Sequence, residues 1–390
     1  MIVKKCTLCS NQNLYEYLNL GKQPLANNLS KKKQKKYKLS INYCSNCFHS
    51  QLSEEINKKK LFSKYLYLSS QSKTLSKHFY NSSAQYVKRF NLKKDSLIID
   101  IGSNDGVGLK YYRDKKFQNF FGIEPAKNIS ALANKNGIKT INSFLNTNIE
   151  KKFKNKADLI TASNVFAHNK NVKSLGKKLI SMLNKNGTLV IEVQYLIKML
   201  NDTSYDNIYH EHFHYWSLNS LNNLFKSLHA GIYDAETIDT HGGSIRCYIK
   251  KNILSSNLKI KKIIKNELKQ GIKSKNNYLK FSKKVLEHKK NLKIFFKKNI
   301  DKKIVGYGAA AKTATLLNFL DLKNSNFSII DDNPLKQNFY IPGTKNKIVS
   351  SKIFNNKNVD ILIVFAWNYF NEIKSKIKFA KKIISIRSFF

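Results

Sequence analysis

The chain contains few residues that break regular structure, few acidic residues and no long apolar segment. Its 390 residues include only 4 prolines and 15 glycines, and 25 Asp and Glu stand against 70 Lys and Arg. No run of about 18 apolar residues is present, so we expect no membrane-spanning helix. The amino terminus also lacks the apolar core of a secretory signal. We therefore expect a cytoplasmic protein that does not associate with a membrane.

The shortage of acids leaves a formal net charge of +45, which has two interpretations. Strong positive charge can indicate binding to nucleic acid or to another anionic surface. Here almost all of it comes from Lys spread along the chain, accompanied by abundant Asn, Ile, Phe and Tyr, the residues that AT-rich codons favour. We favour this compositional interpretation and expect no nucleic-acid partner, although the charge would still attract a phosphorylated substrate.

Cysteine is also scarce, but four of the five cysteines are paired in sequence. Cys6 and Cys9 form one CxxC motif, and Cys44 and Cys47 form another. Two such motifs in a cytosolic chain are typical of a tetrahedral zinc site, and four thiolates leave no open position for catalysis. We predict structural Zn²⁺ with a loop or small hairpin between the motifs, the alternative being two redox-active dithiols. Cys247 lies in a strand-like run and is predicted to be buried.

Apolar strands alternate with helical stretches from about residue 96 onwards. We predict strands at 96–101, 120–123, 138–141, 157–161 and 187–193. This alternation is typical of a parallel sheet covered on both faces, so we predict a doubly wound, Rossmann-like α/β domain. Lys-rich helices are predicted over 253–298, followed by a second small α/β unit with strands at 303–307, 327–331 and 359–365.

The loop after the first predicted strand is the main candidate for a cofactor site. It contains Gly102 and Gly106 in a GxxxG spacing, preceded by Asp100 and enclosing Asn104 and Asp105. Dinucleotide-binding loops have GxGxxG instead, so the spacing favours S-adenosylmethionine, which has no pyrophosphate. Alone, this loop could be any tight strand-to-helix turn. The prediction of S-adenosylmethionine rests on two further features, Glu124 at the end of the second strand, where a carboxylate can accept ribose hydroxyls, and Asn164 after the fourth.

A second glycine loop follows the first strand of the carboxyl-terminal unit. Residues 306–312 match GxGxxA and open a helix, a position that suits an anion. We predict that Lys312 contacts the phosphate of a nucleotide-linked substrate, the alternative being a tight turn with small residues.

The densest group of chemically active residues spans 205–216, where three histidines, one glutamate and three tyrosines occur within twelve residues. Histidine suits general acid–base catalysis near neutral pH. Methyl transfer to oxygen or nitrogen needs little of this, whereas transfer to carbon requires removal of a proton beside a carbonyl and stabilisation of the enolate. We predict a His base paired with a Glu. The alternatives are metal binding by His210, His212 and His214, which would share one side of an extended strand, and a surface loop without function.

Together these segments resemble the sugar C-methyltransferases of deoxysugar pathways, which act on nucleotide-linked, often dTDP-linked, keto-deoxyhexoses. The resemblance covers nearly the whole chain and is carried by the two CxxC motifs and by IDIGSNDG, GIEPAKN, NVFAH, YDNIYHEHFHYWS, HGGSIRCY, GYGAAAK, DDNPLKQ and FAWN. It implies a zinc-binding domain at 1–68, a methyltransferase core at 69–250, connecting helices at 251–298 and a Rossmann-like substrate-binding domain at 299–390.

The resemblance also implies roles for individual residues. His212 would be the base, assisted or oriented by Glu211 and Tyr209, and His168 would stabilise the enolate. The sugar would be contacted by residues of three segments, Tyr65, Tyr67, Ser70, His241 and Ser244, with Tyr67 favoured over its neighbour as a catalytic tyrosine.

We therefore expect carbon methylation of a small-molecule nucleotide sugar by a monomer or homodimer. O- or N-methylation of a sugar or small metabolite is the alternative that would tolerate loss of His212. An RNA methyltransferase and a binding module without catalysis are further alternatives, which the scattered Lys residues and the His/Glu/Tyr cluster respectively disfavour.

Overall fold

The computed structural model describes residues 2–29, 34–57, 61, 68–253, 257–322, 327–354 and 358–390, and for His241 the backbone alone. Three sheets organise these residues along the chain. No helix in the described ranges is both long and apolar enough to cross a membrane.

The amino-terminal sheet is antiparallel and brings the two cysteine motifs together. Its first strands are β1 (Leu14–Gln23), β2 (Tyr37–Cys44) and β3 (Ser50–Leu52). A two-residue strand from much later in the chain, His214–Tyr215, pairs with β3 and completes the sheet. The predicted hairpin between the CxxC motifs is therefore confirmed, and the last residues of the His cluster anchor this sheet to the rest of the molecule.

A seven-stranded sheet forms the central domain. Its strands are β4 (Leu97–Ile101), β5 (Asn119–Ile123), β6 (Thr140–Ile141), β7 (Ala157–Ser163), β8 (Leu183–Gln194), β10 (Ala230–Ile238) and β11 (Ser244–Lys251). The strand His214–Tyr215 of the amino-terminal sheet is β9 in chain order. The sheet order is β10-β11-β8-β7-β4-β5-β6. The run of apolar residues in β4 reflects burial on both faces, since Ile98 and Ile99 are fully buried.

Helices cover both faces of this sheet, and several of them begin at a residue whose side chain caps the helix. They are α1 (Lys73–Phe90), α2 (Lys110–Asp114), α3 (Lys127–Lys135), α4 (Thr147–Phe153), α5 (Val172–Met182), α6 (Leu196–Asn201) and α7 (Leu218–Lys226). Ser72 caps α1 through a bond from the Leu75 N–H, and Ser217 forms a capping box with Ser220 at α7.

All five central strands that the sequence predicts are confirmed and pair in parallel, and the sheet adds an antiparallel edge that was not predicted. The strand β11 is antiparallel to both β8 and β10. The reason is the connection: only residues 239–243 separate β10 from β11, which is too short for a parallel crossover.

The remaining residues form two helices and a smaller parallel sheet. The predicted Lys-rich segment is α8 (Leu258–Lys269) followed by α9 (Lys275–Lys298). The carboxyl-terminal unit consists of β12 (Ile304–Tyr307), α10 (Ala311–Leu320), β13 (Ile329–Ile330), β14 (Ile348–Val349), β15 (Val359–Val364), α11 (Phe370–Lys376) and β16 (Ala380–Ser385), in sheet order β14-β13-β12-β15-β16. The second α/β unit is thus confirmed, while the domain boundaries at 68, 250 and 298 stay a prediction.

Candidate active site

One cavity of about 530 Å³ lies at the carboxyl ends of strands from both parallel sheets. On one side it is lined by the loop after β4, including Gly102 and Asn104, and by Glu124 after β5. On the other it is lined by the loop after β12, including Lys312. His168 and His212 line the region between them. The structure thus gathers into one space the two glycine loops and the histidines that the sequence singles out.

The loop after β4 approaches its neighbours so closely that glycine is required at Gly102. Its φ is +65°, and a Cβ there would lie 2.8 Å from Cγ2 of Val165. At the base of the loop, burial raises the pKa of Asp100 to about 7, and its carboxylate accepts a hydrogen bond from Thr161 (2.6 Å). Among the described residues, the buried Ser103 Oγ has no hydrogen-bond partner. This loop therefore offers a closely approached backbone and an unused hydroxyl to a polar ligand.

Glu124 joins the two loops that would surround the ribose of a cofactor. Its Oε2 accepts the Asn104 N–H (3.1 Å), and its Oε1 accepts the Ala126 N–H (2.8 Å). The side chain is buried, which raises the pKa of Glu124. Each oxygen keeps a second lone pair for a ribose hydroxyl, so the residue fits the predicted contact to S-adenosylmethionine.

Other residues of the predicted cofactor loop hold its shape. Asp105 accepts the Ser70 N–H through Oδ2 (3.2 Å), which ties the loop to the residues that precede α1. Gly106 has a φ of +81°, and a Cβ there would meet Ile138 at 2.8 Å. Asn164 lines the cavity with a φ of +60° and donates its N–H to the Glu192 carbonyl (2.7 Å).

Replacing Gly102 by Ala should weaken S-adenosylmethionine binding by roughly tenfold or more. The left-handed backbone costs about 1–2 kcal/mol for a residue with a Cβ, and the contact with Val165 forces the loop out of position. Gly21→Ala is the matched control, because Gly21 has a φ of +79° with nothing within 4 Å of the new Cβ. Calorimetric titration of both variants measures the difference, and equal affinities would contradict the assignment of this loop.

The imidazole of His212 is held in one tautomer. Its Nδ1 lies 2.9 Å from the carbonyl oxygen of Asn207, and a carbonyl can only accept, so Nδ1 carries the proton. The basic nitrogen, Nε2, lies 2.7 Å from the hydroxyl of Tyr209. Both side chains line the cavity. The predicted roles of His212 as the base and of Tyr209 as its assistant stay predictions.

His168 is held by the same kind of contact. Its Nδ1 lies 2.8 Å from the Glu211 carbonyl oxygen, and its ring centre lies 4.8 Å from that of His212. Burial lowers the pKa of His168 to about 4, so the ring is neutral, with its proton on Nδ1. Stabilising an enolate from this state would require that His168 first accept a proton, and this predicted role stays a prediction.

The carboxylate of Glu211 is bound by the amino-terminal domain. Asn27 donates from Nδ2 to both of its oxygens at 2.8 Å, and burial raises the pKa of Glu211 to about 7. The rings of His168 and His212 instead donate from Nδ1 to backbone carbonyls, those of Glu211 and Asn207 respectively. Glu211 thus attaches the loop that contains His212 to Asn27. Asn27 itself lines the cavity and was not predicted from the sequence.

Lys312 lies at the first turn of α10 and lines the cavity. Its Nζ lies 4.5 Å from the ring centre of Trp367, and burial lowers the pKa of Lys312 to about 8. Gly308, in the same loop, has a φ of +101°, and a Cβ there would lie 2.7 Å from Cβ of Ala366. The loop after β12 therefore brings backbone and one cation to the cavity, as predicted for a phosphate.

The predicted sugar contacts have mixed positions. Ser70 is exposed and bonds to Asp105 through its backbone. Ser244 is buried and its hydroxyl donates to the Thr240 carbonyl (3.0 Å). His241 lies in the turn at Thr240–Gly242, and the structure describes only its backbone. Tyr65 and Tyr67 lie outside the described residues, so their predicted contacts stay predictions.

Gln194, at the end of β8, also lines the cavity, and the sequence analysis did not assign it a role. Its Oε1 is buried and has no partner among the described residues. The last residue of a central strand is where a doubly wound sheet places ligand contacts, so position alone could have identified it.

The four sulfurs of Cys6, Cys9, Cys44 and Cys47 lie within 4.8 Å of one another. Cys6 and Cys47 are 3.5 Å apart, as are Cys9 and Cys44. A tetrahedral zinc with bonds of about 2.3 Å places its sulfurs roughly 3.8 Å apart, so the group fits Zn²⁺. Within the described residues no other group of three or more potential ligands is gathered in this way.

Replacing Cys44 by Ser should release the metal and lower the melting temperature of the protein, because a three-thiolate site loses the closed coordination that stabilises this small domain. Cys247→Ala is the control, since Cys247 is buried within β11 of the central sheet. Metal analysis by mass spectrometry should find about one equivalent of zinc in the control and little in Cys44→Ser. Full zinc in both would contradict the assignment.

The alternative of metal binding by three histidines is wrong for the described conformation, because the segment is not an extended strand throughout. His210 Nε2 lies 3.3 Å from the Lys38 carbonyl, while His214 Nδ1 lies 3.0 Å from His49 Nε2. Only His214 belongs to a strand, and His212 faces the cavity. The three rings therefore have separate partners.

Three family models match consecutive parts of this chain. A zinc-binding domain model matches residues 6–62, a methyltransferase domain model matches 76–229, and a C-methyltransferase C-terminal domain model matches 239–384. The first range contains β1, β2 and β3, the second contains β4 to β9, and the third contains β11 to β15.

Among curated proteins, the C-methyltransferase NovU of Streptomyces niveus is 27% identical over 384 residues, which cover 95% of this chain and 91% of that protein. Similar solved structures include magnesium protoporphyrin IX methyltransferase of Synechocystis PCC 6803 with bound SAM, at 12% identity and a TM-score of 0.35, covering 45% of this chain and 79% of that chain. Another is an S-adenosylmethionine-dependent methyltransferase of Clostridium acetobutylicum ATCC 824, at 15% identity and a TM-score of 0.37, covering 45% of this chain and 92% of that one.

Proposed function

Because this chain is an S-adenosylmethionine-dependent C-methyltransferase with a zinc-binding domain, we propose that it methylates a carbon atom of a nucleotide-linked keto-deoxysugar. The nucleotide we propose is dTDP, and the carbon is one beside the keto group. Bound S-adenosylmethionine supplies an electrophilic methyl group.

The observation that carries the proposal is the orientation of His212. Its Nδ1 is committed to a backbone carbonyl, and its Nε2 lies in the cavity beside Tyr209. An imidazole whose Nδ1–H is fixed, so that Nε2 is the proton acceptor, suits proton abstraction from carbon, whereas methylation of oxygen or nitrogen needs mainly positioning.

The chemistry we propose begins when Nε2 of His212 accepts the proton from the carbon beside the keto group, directly or through the Tyr209 hydroxyl. The C–H electron pair becomes the enolate, whose oxygen needs a hydrogen-bond donor. Bound S-adenosylmethionine would supply the methyl carbon that this enolate carbon attacks, and its sulfur would keep the electron pair of the broken bond. The proton held on His212 leaves to solvent after the product departs.

Support for a nucleotide-linked substrate comes from the opposite wall of the cavity. Lys312 and the backbone of Gly308 and Ala309 face the same space as the histidines. A lysine at a helix amino terminus favours a phosphate group. The substrate that fits both walls therefore carries a phosphate at one end and an acidic C–H at the other.

The test is incubation of the protein with S-adenosylmethionine and a dTDP-4-keto-6-deoxyhexose in deuterated solvent. The proposal expects a product heavier by one methyl group, with the original α-proton lost. A methylated product that keeps every carbon-bound proton would instead favour O-methylation. An absence of methylation with dTDP, UDP and GDP keto-sugars would refute the nucleotide-sugar assignment.

A further inference from the structure

Trp367 occupies the junction between the carboxyl-terminal domain and the segment that carries His212. Its Nε1 donates a hydrogen bond to Oδ2 of the buried Asp206 (2.7 Å). A Cβ on Gly242 would collide with the indole ring, so the turn at 240–242 also packs against it. The indole is therefore in contact with the central domain on two sides.

Two cations lie against the same indole ring. The Lys312 Nζ is 4.5 Å from the ring centre, and the Arg387 guanidinium carbon is 4.8 Å from it. Arg387 also donates to the Ser204 hydroxyl (3.1 Å) and to the Asp202 carbonyl. The acceptor for the indole, Asp206, is thus a buried negative charge near two positive ones. Burial is the main cause of the lowered pKa of Lys312, and the charge of Asp206 opposes it while Arg387 adds to it.

The segment that contains Asp206 also orients the base, His212. The carboxyl-terminal domain holds this segment at Asp206, through Trp367, and at Ile208, whose carbonyl accepts a hydrogen bond from the Thr315 hydroxyl (3.1 Å). The residue between these two attachments, Asn207, provides the carbonyl that fixes Nδ1 of His212. Any shift of this domain would therefore move the carbonyl that sets the tautomer and direction of the base.

We propose that Asp206 and Trp367 form a positioning bridge that couples phosphate binding at Lys312 to the orientation of His212. The bridge places the lysine cation for the substrate diphosphate and keeps residues 206–208 in the conformation that the base requires. This inference rests on the proposed function. Neither residue reacts with substrate, and both act through Lys312 and His212.

The bridge combines a hydrogen bond from the indole with the negative charge of Asp206, and two substitutions remove these one at a time. Trp367→Phe keeps an aromatic face for Lys312 but removes the bond to Asp206, so the KM for the nucleotide sugar should rise roughly tenfold, the size expected for loss of a hydrogen bond to a charged group. The same variant should slow exchange of the substrate α-proton, with the affinity for S-adenosylmethionine unchanged. A variant that was merely less stable would lose active enzyme without changing KM.

Asp206→Asn keeps an acceptor for the indole but removes the charge. In wild type, KM should rise as the pH passes about 8, because Lys312 loses its proton and with it the attraction for the diphosphate. Without Asp206, Lys312 loses its proton at lower pH, so the rise in KM should begin at lower pH. Asp202→Asn is the matched control, since Asp202 is a half-exposed carboxylate paired with Lys198 four residues earlier.

Binding can be followed without turnover, because the chain has only two tryptophans, Trp216 and Trp367, and Trp216 is fully buried. Titration with dTDP should change the indole emission of wild type and of Asp202→Asn, with weaker binding in Asp206→Asn and no change of emission in Trp367→Phe.

Methylation by wild type tests the proposed function separately. The bridge is tested by comparing KM, the α-proton exchange rate and the dTDP affinity of each variant with those of wild type. Unchanged KM, exchange rate and pH profile in both bridge variants would overturn the inference even if wild type methylates the sugar. Equal dTDP affinity in Asp206→Asn and Asp202→Asn would overturn it even if wild type methylates nothing.

Discussion

His212→Asn should reduce methyl transfer by roughly 10²–10⁴-fold, the range that general base catalysis contributes. The substitution removes the nitrogen that lies 2.7 Å from the Tyr209 hydroxyl and leaves no other group with this geometry on residue 212. Exchange of the substrate α-proton with solvent should fall in parallel, because the same step limits both. Substrate affinity should change little.

His229→Asn is the control for this variant. His229 is exposed in the turn before β10 and has a φ of +54°, a conformation that Asn tolerates well. Its activity should equal that of wild type. Normal α-proton exchange in His212→Asn would assign the proton transfer to another residue, for which His168 is a candidate, with its ring centre 4.8 Å from that of His212.

Glu124→Ala should raise the Kd for S-adenosylmethionine about 100-fold. The variant loses two hydrogen bonds that the carboxylate accepts from the backbone N–H groups of Asn104 and Ala126, in the loops on either side of the cofactor site. Hydrogen bonds to charged groups contribute about 1.5–3 kcal/mol each, and every 1.4 kcal/mol corresponds to a factor of ten in Kd. The ribose would also lose its acceptor.

Calorimetric titration of Glu124→Ala with S-adenosylmethionine measures this effect, and Glu150→Ala serves as the control. Glu150 lies on α4, where it is paired with Lys178 at 2.9 Å, far in sequence from the loop after β4. Its variant should bind the cofactor normally. If the two variants bound equally well, Glu124 would not contact the cofactor.

The elements with regular periodicity could be predicted from the sequence, and so could the loops that follow them. The strand β4 is a run of apolar residues and its loop carries glycines at positions with positive φ, so a ligand site was expected there. The zinc ligands were identifiable because four thiolates in two close pairs have few other uses. Local sequence was sufficient for these features.

Contacts between distant residues could not be predicted in this way. Asn27 and Glu211 are 184 residues apart and Trp367 and Asp206 are 161 apart, and nothing in the composition of either segment indicates its partner. The role of Glu211 was inferred from its neighbour in sequence, His212, whereas the structure ties its carboxylate to Asn27. The pairing of β9 with β3 could not be predicted for the same reason, since a strand of two residues is recognisable only by its pairing with another strand.

The position of the new methyl group tests the central claim most directly. S-adenosylmethionine carrying a ¹³C-labelled methyl group should be incubated with the protein and a dTDP-4-keto-6-deoxyhexose, and the product examined by NMR. We predict a labelled methyl carbon bonded to a ring carbon beside the keto group. A labelled methyl carbon bonded to oxygen or nitrogen would contradict carbon methylation and the role of His212 as its base.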